Sequence, residues 1–216
     1  MRLYHFVDAQ YGLQDIRQRH LKIARINELN DPFELLGVAS RDQVIRRRYL
    51  DLKTGLAEFM GLLCFSGGWT NPVQWSHYAD RHRGLCLGFD VNAPVHRVKY
   101  VKYRLKPDSG SLRQNDSAAQ KYVMRILTTK FEHWRYEDEY RVFPELKVKD
   151  ERGLYFFEFG KEFVLREVIV GHNSTITRAE LDRALGDLTS SVTKFKARLA
   201  FQSFRVVRQL NDEMWA

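Results

Sequence analysis

The chain holds only two cysteines, Cys64 and Cys86. Both lie in apolar, strand-like runs, and neither belongs to a metal-type spacing, so no structural metal knuckle is expected. Two reduced thiols are best explained by a cytoplasmic interior. No apolar run is long enough for a transmembrane helix, and Met1-Arg2-Leu3-Tyr4-His5-Phe6 lacks the apolar core of a secretory signal. No membrane partner is therefore expected. A G-x-G-x-x-G fingerprint and a P-loop are both missing, which removes two common phosphate-cradling turns. There is no internal repeat and no low-complexity tail.

What is present is ordinary in bulk and unusual in detail. A chain of 216 residues, 44% hydrophobic and 29% charged, is that of a folded domain rather than a disordered segment. One domain over 1–216 is the simplest division. The formal charge of +8 suits an anionic partner, either nucleic acid or a phosphate-bearing ligand, although a merely basic soluble protein would carry it too. Aromatics are plentiful, with 14 Phe, 10 Tyr and 4 Trp.

Leu3 to Val7 reads as a strand, with Leu3, His5 and Val7 on one face and Tyr4 and Phe6 on the other. A helix over 9–19 and a strand over 21–25 follow. Asn30-Asp31-Pro32-Phe33-Glu34 is a turn-rich loop, either lining a pocket or merely capping a helix that opens at Pro32. Helix over 41–60 carries Arg46-Arg47-Arg48, best read as a solvated face. Gly61 to Ser66 is an apolar strand. Two glycines, Gly67 and Gly68, then let backbone approach a ligand. Later strands are expected over 95–103, 137–143, 155–159, 164–170, 192–199 and 203–210, with helices over 117–130 and 177–188. Thr177 and Glu180 fit a capping box. Residues 104–117, rich in Pro, Asp, Ser, Gly and Asn, suit a mobile loop. Strands outnumber helices, and the helices sit mainly in the first half. The pattern is α+β rather than regular alternation, and predicts two small, mostly antiparallel sheets packed across a cleft.

Two stretches carry chemistry. In the first, Trp75, Tyr78, Ala79 and His82 follow i, i+3, i+4, i+7 spacing, placing rings and an imidazole on one face of a short helix. Gly84 suits its C-cap and Leu85 to Phe89 a buried strand. The aromatics alone would fit a core. His77 and His82 are harder to bury for nothing in return. In the second stretch, Trp134 to Arg141, three acids lie between Arg135 and Arg141. If the segment is extended, Glu137 and Glu139 face one side. Neighbouring carboxylates raise each other's pKa and the arginines lower it, so one acid can serve as base while another positions a hydroxyl. A salt-bridged strand edge would show the same spacing.

Taken in order, Asn30-Asp31-Pro32-Phe33-Glu34, Cys64-Phe65-Ser66, Trp75-x-His77-Tyr78-Ala79-x-x-His82-x-Gly84-x-Cys86-x-Gly88-Phe89, Trp134-x-Tyr136-Glu137-x-Glu139-x-Arg141 and Leu165 to Gly171 resemble a bacterial family known as domain of unknown function 2971. The resemblance covers nearly the whole chain and implies little chemistry beyond a link to phage defence or toxin-like activities. A more distant resemblance is to ADP-ribosyltransferases. It implies that His5, within Tyr4-His5-Phe6, holds the nicotinamide ribose, that Ser66 ends the middle strand, and that Tyr78 stacks on nicotinamide. It also implies that Glu139 stabilises the oxocarbenium-like state while Glu137 assists the acceptor. The middle strand departs from the usual Ser-Thr-Ser, reading Cys64-Phe65-Ser66. His77 and His82 are not part of the transferase pattern.

The expected activity is therefore cleavage of NAD, as substrate, with transfer of ADP-ribose to protein or nucleic acid. Glu139, Glu137, His5 and Tyr78 would be catalytic. Tyr4, Phe6, Arg25, Ser66, Trp75, His77 and His82 would bind the dinucleotide, with Arg25 or the Gly67-Gly68 loop on its pyrophosphate. A neighbouring antitoxin or defence partner is implied by the same resemblance. The alternatives are a metal-dependent nuclease or phosphohydrolase built from His5, His77, His82 and the acids, and a non-catalytic nucleotide- or nucleic-acid-sensing module. No metal site is expected, since no H-x-H, H-D or clustered acidic motif occurs.

Overall fold

The structure, a computed structural model, describes residues 1–108 and 117–215. Strand β1 (Arg2–Val7) runs into helix α1 (Ala9–Gln18), whose first turn is capped by the Asp8 carboxylate. Arg19, in left-handed geometry, turns the chain into β2 (His20–Arg25). Helix α2 (Gln43–Phe59), strand β3 (Gly61–Ser66), helix α3 (Pro72–Tyr78) and strand β4 (Leu85–Val91) follow. The short strands β5 (His96–Arg97) and β6 (Lys99–Val101) precede helix α4 (Ser117–Leu127). Then come β7 (Thr129–Phe131), β8 (Glu139–Val142), β9 (Tyr155–Glu158) and β10 (Phe163–Val170). Helix α5 (Arg178–Leu185) and strands β11 (Thr193–Leu199) and β12 (Val206–Arg208) complete the order. Thr177 and Glu180 form the expected capping box on α5.

The class is α+β, but the two small sheets are corrected. One ten-stranded mixed sheet runs β12-β11-β10-β4-β1-β3-β2-β9, with β8 against β3 and β5 against β8. Among the described residues β6 and β7 stand apart, as a two-stranded parallel ribbon. The reason lies in β4. Leu85, Cys86, Leu87 and Phe89 are all fully buried, so this strand needs cover on both faces and a strand on each side. It takes β1 on one edge and β10 on the other. Leu85, Leu87 and Phe89 point into the main core with Ile16, Leu181 and Val168. Cys86 points the other way, against Trp75, Ala79 and Ile169.

The sheet is narrowest between β1 and β3. These strands share a single register pair, Tyr4 with Ser66, whereas β1 stays paired with β4 along its whole length. One edge of β3 is taken by β8 over Leu63–Ser66. The other is divided: β2 takes Gly61 and Leu62, and β1 takes Ser66. Between them the strand edge opens as a fork.

Three local expectations change. The strand foreseen over 95–103 breaks at Val98, whose N–H goes to the Glu139 carbonyl, so β5 joins the large sheet and β6 the ribbon. The helix foreseen to Lys130 stops at Leu127. Thr128 and Thr129 turn their hydroxyls onto the Met124 and Arg125 carbonyls, and β7 begins. The helix placed over Trp75 to His82 is α3 and ends at Tyr78. Asp80, Arg81 and His82 then follow with φ of 43, 53 and 68°, which is costly for three non-glycine residues in succession. Gly84 is therefore not a left-handed cap. It is small because an added Cβ would sit 2.1 Å from the Val7 carbonyl oxygen. Of the loop expected over 104–117, residues 109–116 lie outside the described residues. Leu105 is tied down, its N–H on the Gly37 carbonyl and its own carbonyl accepting from Ala39. Among the described residues no helix is long and apolar enough to cross a membrane.

Asp15 of α1 is buried, its Oδ1 3.6 Å from His20 Nε2. Burial, with the charge of Asp8, pushes its carboxyl up to about 7. Burial likewise holds the His20 imidazole below its ordinary value, so it does not compensate. An ordinary Asp titrates at about 3.9. Between the two values the folded chain keeps a proton that the unfolded chain releases, so stability falls as pH rises from about 4 to about 7. Asp15→Asn is expected to raise Tm by about 2–8 °C at about pH 8 and to leave it unchanged near pH 4, measured by scanning calorimetry.

Candidate active site

A cavity of about 250 Å³ occupies the fork. Its sheet wall is built from Tyr4, His5 and Phe6 of β1 and from Cys64, Phe65 and Ser66 of β3. Three consecutive residues of each strand reach it because the strands part there, opening both faces and the edge between. The Cys64 carbonyl faces the gap, with no strand partner on that edge among the described residues. His5 supplies the missing donor: its Nδ1 lies 2.9 Å from that oxygen. A carbonyl only accepts, so Nδ1 carries the hydrogen. Burial pushes the imidazole below its ordinary value, which keeps it neutral and leaves the Nε2 lone pair free.

The opposite wall is charged. The turn Asn30-Asp31-Pro32-Phe33-Glu34 brings Asn30, Asp31 and Glu34 to the cavity. Asp31 caps a turn rather than a helix here, accepting from the Phe33 N–H at 2.9 Å. The 3-10 segment Glu132–Glu137 ends at Asp138, which is left-handed at φ 42°, and β8 begins at Glu139. Glu137 and Glu139 thus share a side because of that kink, not because the segment is extended. Gln74 of α3 holds the kink by donating to the Glu137 carbonyl at 2.7 Å.

Between these elements lies a buried network. Arg141 donates to Glu34 through Nη1 at 2.7 Å and Nη2 at 3.0 Å. It also donates to Glu139 through Nε at 2.8 Å and Nη2 at 3.0 Å, and to the Leu127 carbonyl at 2.6 Å. Lys130 Nζ lies 2.6 Å from Glu137 Oε2 and 3.0 Å from Glu139 Oε2. Tyr78 closes the chain of contacts, its hydroxyl donating to Glu137 Oε1 at 2.5 Å. The Glu139 N–H donates in turn to the Tyr100 hydroxyl at 2.8 Å.

The electrostatics divide the two acids. Burial works to raise Glu139, but Arg141 and Lys130 outweigh it and hold the carboxyl well below the usual range. Burial raises Glu137, and the neighbouring Glu139 adds to it against Lys130. Glu139 is a fixed anion; Glu137 is a carboxylate that takes and returns a proton more readily. Burial and Glu137 push the Tyr78 phenol far up, so it stays a donor.

His5, Tyr78, Glu137 and Glu139 therefore meet around one cavity, with Tyr4, Phe6 and Ser66. The other expected ligands do not. Trp75 is fully buried in the core, its indole N–H on the Trp69 carbonyl. The helical stripe misplaced it, since Trp75 and Ala79 face inward while Tyr78 faces the cavity. His82 lies beyond the helix and stacks on Trp75 at 6.1 Å. His77 stands at the surface with Nδ1 3.1 Å from the Tyr136 hydroxyl. Arg25 is exposed beside Ala24 and Glu28, which do line the cavity. Of the Gly67-Gly68 loop, neither glycine lines it.

The sequence offered the Asn30–Glu34 loop as a pocket lining without singling out Glu34, gave Lys130 no role, and took Arg141 only as a flanking charge. A signal existed for Arg141, an arginine alternating with Glu137 and Glu139 in the run before an apolar strand end. For Lys130 there was none, because it was placed in a helix. Among the described residues no group of three or more His, Cys, Asp or Glu is arranged to hold a metal ion.

Residues 74–142 match the model of a family described as protein of unknown function, DUF2971. That segment holds Tyr78, Lys130, Glu137, Glu139 and Arg141, but neither β1 nor Glu34. No curated protein and no solved structure matches the chain.

Truncating Arg141 strands Glu34 and Glu139 without their main counter-charge. Arg141→Met is expected to cost about 3–5 kcal/mol in urea unfolding at neutral pH. The acid limb follows from Glu139. Its folded pKa is depressed, so its contribution is complete above the unfolded value of about 4.3 and is lost as pH falls through the folded value. Glu139→Gln is expected to flatten the loss of stability below about pH 4, measured by urea midpoints against pH.

Proposed function

We propose that the chain cleaves the bond between nicotinamide and ribose in NAD and passes the ADP-ribose to a macromolecular acceptor, as an ADP-ribosyltransferase-like enzyme. The observation that carries this reading is the composition of the cavity. Five acids line it, Glu28, Asp31, Glu34, Glu137 and Glu139, against one lining cation, Lys130, with Arg141 held behind Glu34 and Glu139. Acids outnumber cations there, in a place with little water to screen them. Such a site favours a cationic ring and, more strongly, a positive charge developing on a sugar carbon.

The chain's own residues divide the work. Glu139, ionised and pinned by Arg141, offers a fixed negative charge that needs no rearrangement as charge develops. Tyr4, Phe6 and Tyr78 supply rings for the base and Ser66 a hydroxyl. His5 Nε2 offers an acceptor for a ribose hydroxyl. As the C1′–N bond breaks, its electron pair leaves with nicotinamide, which becomes neutral. The acceptor nucleophile bonds to C1′ and its proton passes to Glu137, whose raised pKa suits a base. A cavity of about 250 Å³ is at the small end for ligand sites, so it would take the nicotinamide riboside end, with the pyrophosphate outside.

The test is nicotinamide release from NAD, without added metal, with cell lysate as the acceptor pool. Wild type is expected to release it. Glu139→Gln should be slower by about 100-fold or more, and Tyr78→Phe slower with Tm little changed. No release by wild type, together with no shift in Tm on adding NAD, would remove the reading.

A further inference from the structure

The ribbon of β6 and β7 has two faces. Strand alternation sends Tyr100 and Lys130 to the buried acids, and sends Val101, Thr129 and Phe131 the other way, into a second cavity of about 230 Å³. Phe33, Gly37 and the segment Lys102-Tyr103-Arg104 form its remaining walls, and Asp31 and Lys130 border both cavities. Three of its rings are open to solvent: Tyr103 is 76% exposed, Phe33 54% and Phe131 42%. Its cations lie over such rings, Arg104 at 4.6 Å from Phe33 and Lys102 at 5.6 Å from Tyr103. Among the described residues neither Lys102 nor Arg104 forms an ion pair with a carboxylate.

Exposed rings next to unpaired cations, on a concave surface, are what an unstacked base and its phosphates need. An acidic peptide would use the cations and leave the rings wet. A duplex would hide its base faces. We propose that this second cavity binds single-stranded nucleic acid, with bases on Phe33, Tyr103 and Phe131 and phosphates on Lys102 and Arg104. It would then present a base nitrogen to the neighbouring cavity as the acceptor. Only that acceptor role rests on the NAD reading; the binding does not.

The experiment is fluorescence anisotropy, in the absence of NAD, with fluorescein-labelled DNA and RNA single strands of about 20 nucleotides and the matching DNA duplex. Wild type is expected to bind a single strand at least tenfold more tightly than the duplex, and the DNA and RNA arms identify which. Tyr103→Ala and Phe33→Ala should each weaken binding about tenfold. Arg104→Gln should reduce the slope of log affinity against log salt by about 0.7. Tyr103 is exposed enough that its truncation leaves the core alone, and circular dichroism checks the fold. No binding at about 50 mM salt, equal affinity for duplex, or unchanged affinity in both aromatic variants would overturn the proposal. Single-strand binding with neither nicotinamide release nor a Tm shift on adding NAD would keep this site and remove the NAD reading; release without binding would do the reverse.

Discussion

The clamp of Arg141 between Glu34 and Glu139 is the constraint on which the rest of the site depends. Its partners come from a turn after β2 and from β8, and its guanidinium also closes the end of α4 through the Leu127 carbonyl. Five planar donors suit such a junction in a way that a lysine ammonium would not. Once Arg141 is saturated, Glu139 is fixed, and Lys130 settles between Glu139 and Glu137. Tyr78 then finds Glu137. Such a network is expensive to bury and poor at stabilising a fold compared with packed apolar side chains. Its arrangement around a cavity is what the proposed NAD chemistry would draw on.

What the proposal draws on is imbalance rather than any single residue. A network with equal charges would be electrically quiet. Here acids outnumber cations, and two of the acids that line the cavity differ in proton affinity, Glu139 held down and Glu137 held up. The difference comes from which cation each one touches. Glu139 has both, and Glu137 has Lys130 alone.

Much of this was legible in the chain, and the failures have physical causes. The run of acids at the start of β8 singled out Glu137 and Glu139 by spacing, and the transferase resemblance, laid over the strand patterns of β1 and β3, singled out His5 and Ser66. The class was legible too, because strand-like runs dominate the second half. The sheet count was not, since pairing across β4 depends on which edges meet and no local pattern records that. Trp75 and His82 were misjudged because a periodicity argument extended α3 across Asp80 to His82, where three left-handed residues turn the chain. Lys130 was hidden by a similar error. Read as the end of a helix it faces nothing in particular; as the middle of a three-residue strand it faces the acids.

The fork between β1 and β3 also bears on how the site comes to exist. Along the chain, β1 lies on one side of it, β2 and β3 on the other, β4 back on the first, β8 on the second and β10 on the first again. Neither side is a continuous piece of sequence. The pairings are long-range, so their loop-closure cost falls early in folding and assembly should be slow. The cavity is a late product, present only once both sides have met. A fragment limited to 74–142 would carry Tyr78, Lys130, Glu137, Glu139 and Arg141 yet have no His5, no Glu34 and no fork. The smallest piece that can hold the site is therefore much longer than the stretch in which most of its charged residues lie.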